Sequence, residues 1–119
     1  MRTICNFHGI WNGISKEDTD ERITQADNII NFLKNISVPH VLCGDFNLLP
    51  ENKSLKMLEN LGMKNLIREF SIQSTRSSHY KKPVRFADYT LVSDGIEVNE
   101  FKVLPDEVSD HLAMYLDFE

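Results

Sequence analysis

The last third of the chain is apolar almost without interruption, and few folds can accommodate that. Tyr89, Leu91, Phe101, Val103, Met114 and Leu116 alternate with Phe86, Thr90, Val92, Leu112, Ala113 and Tyr115. Strands of this kind belong to sheets covered on both faces. The helices available to cover them are few. Ile23, Ala26, Ile30 and Leu33 recur at helical spacing from Asp20, and Leu55, Leu58 and Leu61 outline a second helix closed by Gly62. Two helices cover one face of a sheet. The other face calls for a second layer, from another copy of the chain or from a segment outside it.

The remaining punctuation predicts an α+β order. Residues 2–7 read as a short strand ending at His8-Gly9, and Trp11-Asn12-Gly13 as a loop. Asp18, Thr19 and Asp20 supply capping oxygens and negative charge to the first helix, with Arg22, Gln25, Asp27 and Asn31 off its apolar stripe. Ser37-Val38-Pro39 ends that region and leads into a strand over 40–44. Residues 71–85 are polar and basic and read as a loop. Strands follow over about 86–92, 96–104 and 111–118, with Asp94-Gly95 as a hairpin signal between the first two. The expected architecture is one mixed, mostly antiparallel β-sheet with helices on one face.

Size and charge narrow the function. At 119 residues the chain is one domain at most. A net charge of −5 opposes indiscriminate binding to nucleic acid, although a local basic patch can still hold phosphate. No apolar run has the length of a membrane helix and no signal-peptide pattern opens the chain, so a cytoplasmic protein fits best. An exported protein whose leader lies outside this sequence is also compatible. Cys5 and Cys43 fall in strand-like segments and read as reduced thiols, with a disulfide the less favoured alternative. Without histidines at close spacing they make no zinc site.

The polar residues that stand out sit at strand ends. Val41-Leu42-Cys43 runs into Gly44-Asp45-Phe46-Asn47, and Ser109-Asp110-His111 runs into Leu112. Asp88 lies within an apolar strand, and His8 follows the first one. Strand ends are held by a rigid scaffold yet open to solvent, where sites are usually built. The set suggests phosphate-ester chemistry supported by a hard metal ion. Each member alone has a plainer explanation. Asp45 and Asn47 suit an Asx-type turn before Pro50, Asp110-His111 a turn before the last strand, and Asp88 an ion pair with Arg85. His8 can be an ordinary strand-end residue, His40 and His79 surface residues, and Trp11 loop packing. The loop 75–85 brings four cationic side chains toward Asp88, and Arg76 with Tyr80 and Lys81 or Lys82 is expected to grip a non-reacting phosphate of the substrate.

In order along the chain, these motifs resemble the endonuclease/exonuclease/phosphatase superfamily. Asn6-Phe7-His8-Gly9 is similar to its strand-end His motif, and Asp20, Arg22 and Gln25 to its D-x-R-x-x-Q helix. Gly44-Asp45-Phe46-Asn47 resembles its G-D-F-N signature, 88–93 its D-Y-I-L-V-S strand, and Ser109-Asp110-His111 its terminal S-D-H. The resemblance spans essentially the whole chain and implies residues 1–119 as the C-terminal half of an α/β/β/α sandwich. The family's first half normally adds an Asn and a metal-binding Glu, which have no counterpart here.

The resemblance also implies roles. Asp45 would position or deprotonate a water, and Asn47 would orient it and donate to the phosphate. His111 would stabilise a phosphoryl oxygen, with Asp88 fixing its tautomer and favouring its protonated form. His8 would be a second donor, Asn6 a supporting residue, and Asp110 a ligand to Mg²⁺, with Mn²⁺ as an alternative ion. The implied activity is metal-dependent hydrolysis of a phosphate ester. Nucleotides, short nucleic acids and small phosphoesters all fit as substrate. The competing expectation is an inactive fragment that acts as an assembly or phosphate-binding module. In either case a homodimer through the exposed sheet face is expected.

Overall fold

The computed structural model describes residues 1–119 throughout. Strand β1 covers Thr3–Asn6, helix α1 Asp20–Leu33, β2 His40–Asp45, α2 Lys53–Glu59, β3 Lys64–Asn65 and α3 Leu66–Glu69. Strands β4 (Asp88–Val92), β5 (Val98–Val103) and β6 (Met114–Phe118) follow. Four strands form a mixed sheet in the order β1-β2-β4-β3, with the helices on one side. β1 runs parallel to β2, while β2–β4 and β3–β4 are antiparallel. No helix is long and apolar enough to cross a membrane.

Burial explains why the central elements form. Leu33, Leu42, Leu55, Leu58, Leu66, Tyr89 and Leu91 belong to one core cluster. Each fully buried leucine contributes about 1.5–3 kcal/mol relative to an exposed one. All five residues of β4 are buried, as expected for a strand with neighbours on both edges and layers on both faces. Tyr89 is the one core residue with a polar tip. Its hydroxyl donates to the Leu48 carbonyl at 2.8 Å, and burial pushes its pKa up.

The Asp94-Gly95 turn does not close the hairpin that its sequence predicts. β4 already pairs with β2 and β3, so no edge is left for β5. The chain turns at Ser93–Ile96, with Gly95 at φ +84°, and β5 pairs with β6 in a ladder of its own. This hairpin helps to cover the sheet face away from the helices. By strand alternation that face carries Ile4, Val41, Cys43, Thr90 and Val92. Val41, Thr90 and Val92 are buried, and Met114 Sδ lies 3.5 Å from Thr90 Oγ1. The expected bare face is thus covered at its centre and open at the β1 edge, where Ile4 is 64% exposed.

Other local expectations change for identifiable reasons. Lys64–Glu69 forms a two-residue strand and a single helical turn, both too short to show periodicity. The 71–85 segment has no regular element, yet Thr75, Arg76 and Ser77 are buried in it. His40 is buried at the start of β2, its Nδ1 2.9 Å from the Val38 carbonyl. Both cysteines are free. Cys5 is in register with Leu42 and Asn6 with Cys43, so the two thiols point to opposite faces.

Two charged residues act at longer range than the sequence suggests. Arg22 is 2% exposed, and its guanidinium donates to the carbonyls of Ser15 (2.6 Å), Ile10 (3.4 Å) and Glu17. Thr19 caps α1, its hydroxyl accepting from the Arg22 amide at 3.2 Å. Asp18 instead caps α2. It accepts from the amides of Lys53 (2.8 Å) and Ser54 (3.1 Å) and from the Ser54 hydroxyl (2.9 Å). Burial pushes its pKa up, but these donors outweigh burial and hold it below the usual carboxylate range. Replacing Asp18 by Ala is expected to destabilise the fold by about 1–2 kcal/mol in denaturant unfolding. Asp20→Ala, on the exposed first turn of α1, should stay within about 0.5 kcal/mol of the parent.

Candidate functional site

The ends of β1, β2 and β4 meet the segment before β6 at one rim of the sheet. Beyond β1 the chain stays beside β2, with Phe7 N donating to Cys43 O at 3.1 Å and Gly9 N to Asp45 O at 2.7 Å. Such close approach requires glycine. At Gly44, φ is +139° and a Cβ would sit 2.1 Å from the Phe7 carbonyl oxygen. Phe46 anchors the turn from below, stacked on Phe7 with ring centroids 4.2 Å apart. Phe46 N and Asn47 N both donate to Ala87 O, at 2.8 and 3.2 Å. The β2–β4 register then sets Asp45 directly opposite Asp88.

His111 sits between these carboxylates and a guanidinium. Its Nδ1 lies 3.0 and 2.9 Å from the two Asp88 oxygens, and its Nε2 lies 2.8 Å from Arg76 Nη1. A guanidinium has donors only, so Nε2 accepts and Nδ1 carries the proton toward Asp88. Asp88 therefore orients the imidazole through Nδ1. Burial pushes the Asp88 pKa up, and the His111 hydrogen bond opposes that rise. Asp45 Oδ2 lies 3.5 Å from His8 Nε2 and 3.6 Å from His111 Nε2, and its Oδ1 accepts from Asn47 N at 3.1 Å. Asn47 is buried at φ +53° and donates Nδ2 to Gly9 O at 3.0 Å. The His8 side chain is 76% exposed beside this group.

Arg76 forms the next wall. It is 7% exposed, stacks on the Tyr80 ring at 3.9 Å, and reaches Asp110 Oδ2 at 3.4 Å. Its backbone bridges to His111, which fixes the loop against the start of the last strand. Arg85 does not pair with Asp88. Its guanidinium donates to the carbonyls of Tyr80, Arg76 and Ser77 at 3.2, 2.8 and 2.8 Å and so holds the loop's shape. Asp88 N instead donates to Thr75 Oγ1 at 3.3 Å.

A cleft of about 300 Å³ opens among these groups, lined by His8, Trp11, Lys16, Asp45, Asn47, Arg76, Tyr80, Lys82, Asp110 and His111. Most of the residues singled out from sequence line it. Asp88 stands behind His111. Lys81 is absent from the cleft and donates to Ser78 O at 2.9 Å, while Lys82 takes the inner place, 5.5 Å from the Trp11 ring. Asn6 turns away, its side-chain nitrogen 3.7 Å from Cys43 Sγ. Lys16 was not anticipated. It is 5% exposed, donates to Phe86 O at 2.7 Å, and has its pKa lowered to about 8 by burial and by Arg76, against the pull of Asp45 and Asp88. The available signal was Arg22, whose grip on the Ser15 and Glu17 carbonyls places Lys16. A second cavity, about 330 Å³ at the opposite end of the sheet beside His40, Met63 and Ser93, gathers no comparable polar set.

The donors fit a hard divalent ion in part. Ligand atoms of Asp45, Asp88 and His111 lie within 4.8 Å of one another. Such an ion prefers carboxylate and water oxygens. Asp45 and Asp110 offer them on the cleft wall, whereas both Asp88 oxygens are engaged by His111.

The family model for the endonuclease/exonuclease/phosphatase family matches residues 8–111. The chain belongs to that family. No curated protein matches it by sequence. Among solved structures it is similar to a mannosyl-6-phosphatase of Bacteroides thetaiotaomicron, with TM-score 0.76 at 18% identity over 98% of this chain and 50% of that one. It is also similar to a conserved protein of unknown function from Enterococcus faecalis, with TM-score 0.75 at 20% identity over 98% and 49% of the two chains. The human Nocturnin catalytic domain, solved with bound sulfate, gives TM-score 0.61 at 20% identity over 98% and 45%. The chain thus spans about half the length of the structures it matches. At these identities the likeness establishes the fold.

The buried Asp88 carboxylate has a measurable consequence. Its folded-state pKa lies above its unfolded value, so the ionised group costs stability at neutral pH, and that cost shrinks as pH falls through the folded value and is gone below the unfolded one. Asp88→Asn keeps an acceptor for His111 and removes the charge. The variant is expected to melt above the parent at neutral pH, with the difference closing by about pH 4. An unchanged or lower melting temperature at neutral pH would contradict the burial argument.

Proposed function

We propose that this rim hydrolyses a phosphate ester with the help of a divalent ion, Mg²⁺ or Mn²⁺. The observation that carries the reading is the convergence of Asp45, Asn47, His111 and Arg76 on one cleft, with His111 held in a single tautomer by Asp88. Family membership supports a phosphoesterase kind of hydrolase. One structural neighbour is named a phosphatase, and the half-length match supports reading residues 1–119 as one half, the C-terminal one, of the family's domain.

The side chains divide the work by what each can do. Asp45 is part-exposed and acceptor-only, which suits holding a water and taking its proton. Asn47 is rigidly placed through Gly9 and offers amide donor and acceptor capacity without charge. Arg76, His8 and a proton-bearing His111 would neutralise phosphoryl oxygens as charge builds on them. For His111 that requires phosphate to displace the Arg76 contact from Nε2 and the ring to take up a proton there. Asp45 and Asp110 would hold the ion, which supplies charge neutralisation and a more acidic water when bound.

The test is an assay of the chain with Mg²⁺ and with Mn²⁺ on p-nitrophenyl phosphate and bis(p-nitrophenyl) phosphate. Turnover should depend on the ion and fall about 100-fold or more in Asp45→Ala. Equal turnover in chelator, or activity untouched by Asp45→Ala, would sink the reading. Absence of turnover with either ion would deny it to these residues alone.

A further inference from the structure

We propose that the cleft selects phosphate monoesters, and that Lys16 binds the doubly charged phosphoryl group alongside Arg76. This deepens the hydrolase reading by naming its substrate class, and it stands on Lys16, which no motif marks. Lys16 is 5% exposed, yet no carboxylate oxygen lies within ion-pair distance of its Nζ. Its one hydrogen bond goes to the Phe86 carbonyl at 2.7 Å, which leaves two ammonium protons without a protein acceptor on a residue that lines the cleft. A buried ammonium with carboxylates near it but none in direct contact is costly, and a bound anion completes it.

Arg76, paired through Nη1 with Asp110 and His111, is also incompletely satisfied. It is 7% exposed, and its Nε has no hydrogen-bond partner. One aromatic ring joins the two cations, since Tyr80 has Arg76 3.9 Å and Lys16 5.6 Å from its centroid. Two positive groups sharing one ring repel each other, and an anion between them removes that repulsion. Lys82 adds a third cation over Trp11. Three cations, Lys16, Arg76 and Lys82, thus line the cleft of a chain of net charge −5, together with Asp45 and Asp110 and with Asp88 behind His111. The donor capacity left unused on Lys16 and Arg76 favours a second negative charge on the ligand. A diester carries one charge and a monoester close to two at neutral pH.

The test uses a matched pair, phenyl phosphate and methyl phenyl phosphate, titrated into the chain at neutral pH without divalent ion. Calorimetry and amide NMR read the affinity. Phenyl phosphate should bind at least about tenfold more tightly than the diester. Lys16→Met should lose that advantage while leaving the diester affinity within about threefold, and Lys16→Arg should keep most of it. The Lys16 ammonium resonance of the unmodified chain supplies a readout independent of any variant, and it should shift on adding phenyl phosphate. Equal affinity for the two ligands, full monoester preference in Lys16→Met, or an unmoved Lys16 resonance would each overturn the proposal. An inactive chain that still prefers the monoester would sink the hydrolase reading and spare this one. An active chain without the preference would do the reverse.

Discussion

Asp45 and Asp88 face each other across the β2–β4 ladder, and two carboxylates so placed need a positive or donating group between them. His111 donates to Asp88 while the Asn47 amide donates to Asp45, and the rest of the rim follows from that requirement. The imidazole reaches this position because the 75–77 segment pairs with 110–112 through Arg76 and His111, Ser77 N to Asp110 O, and Leu112 N to Thr75 O. The loop in turn is shaped by the Arg85 guanidinium donating inward to three carbonyls. A slip of one residue between β2 and β4 would turn every side chain to the opposite face and separate the pair. The sheet register is thus as much a part of the site as the titratable groups.

Charge buried at this rim works against stability. Asp88, Arg76 and Lys16 are each at most 7% exposed, and none is neutralised by a simple one-to-one ion pair with good geometry. Asp88 relies on an imidazole, Arg76 on a 3.4 Å contact with the half-exposed Asp110, and Lys16 on a carbonyl. Such arrangements concentrate at sites that bind charged ligands. The apolar layer beneath, with Leu55, Leu66, Leu91 and Tyr89 fully buried, provides the stability that offsets them.

Much of this was legible in the sequence, because polar residues at the ends of apolar strands stand out against the pattern around them. Asp45, Asp88 and His111 could be read that way, as could the two longer helices from leucine and isoleucine spacing. What escaped was long-range or too short. Asp18 sits next to α1 in sequence but caps α2, a partnership over thirty-five residues that no local rule contains. Arg22 lies off the apolar stripe of α1 and is buried all the same, because a loop folds over it. Lys16 inherits its place from that loop. Lys81 and Lys82 are adjacent and chemically alike, so only the path of the turn decides which enters the cleft. The hairpin at Asp94-Gly95 failed because pairing depends on whether an edge is free, which turn residues do not encode.

The tryptophan content of the chain is one, and Trp11 stands at the mouth of the cleft with the Lys82 ammonium 5.5 Å from its ring. A single indole beside a cation that a ligand would draw away is a built-in optical probe. Its emission reports occupancy of this mouth alone, with no label attached and no other fluorophore of its kind to dilute the signal.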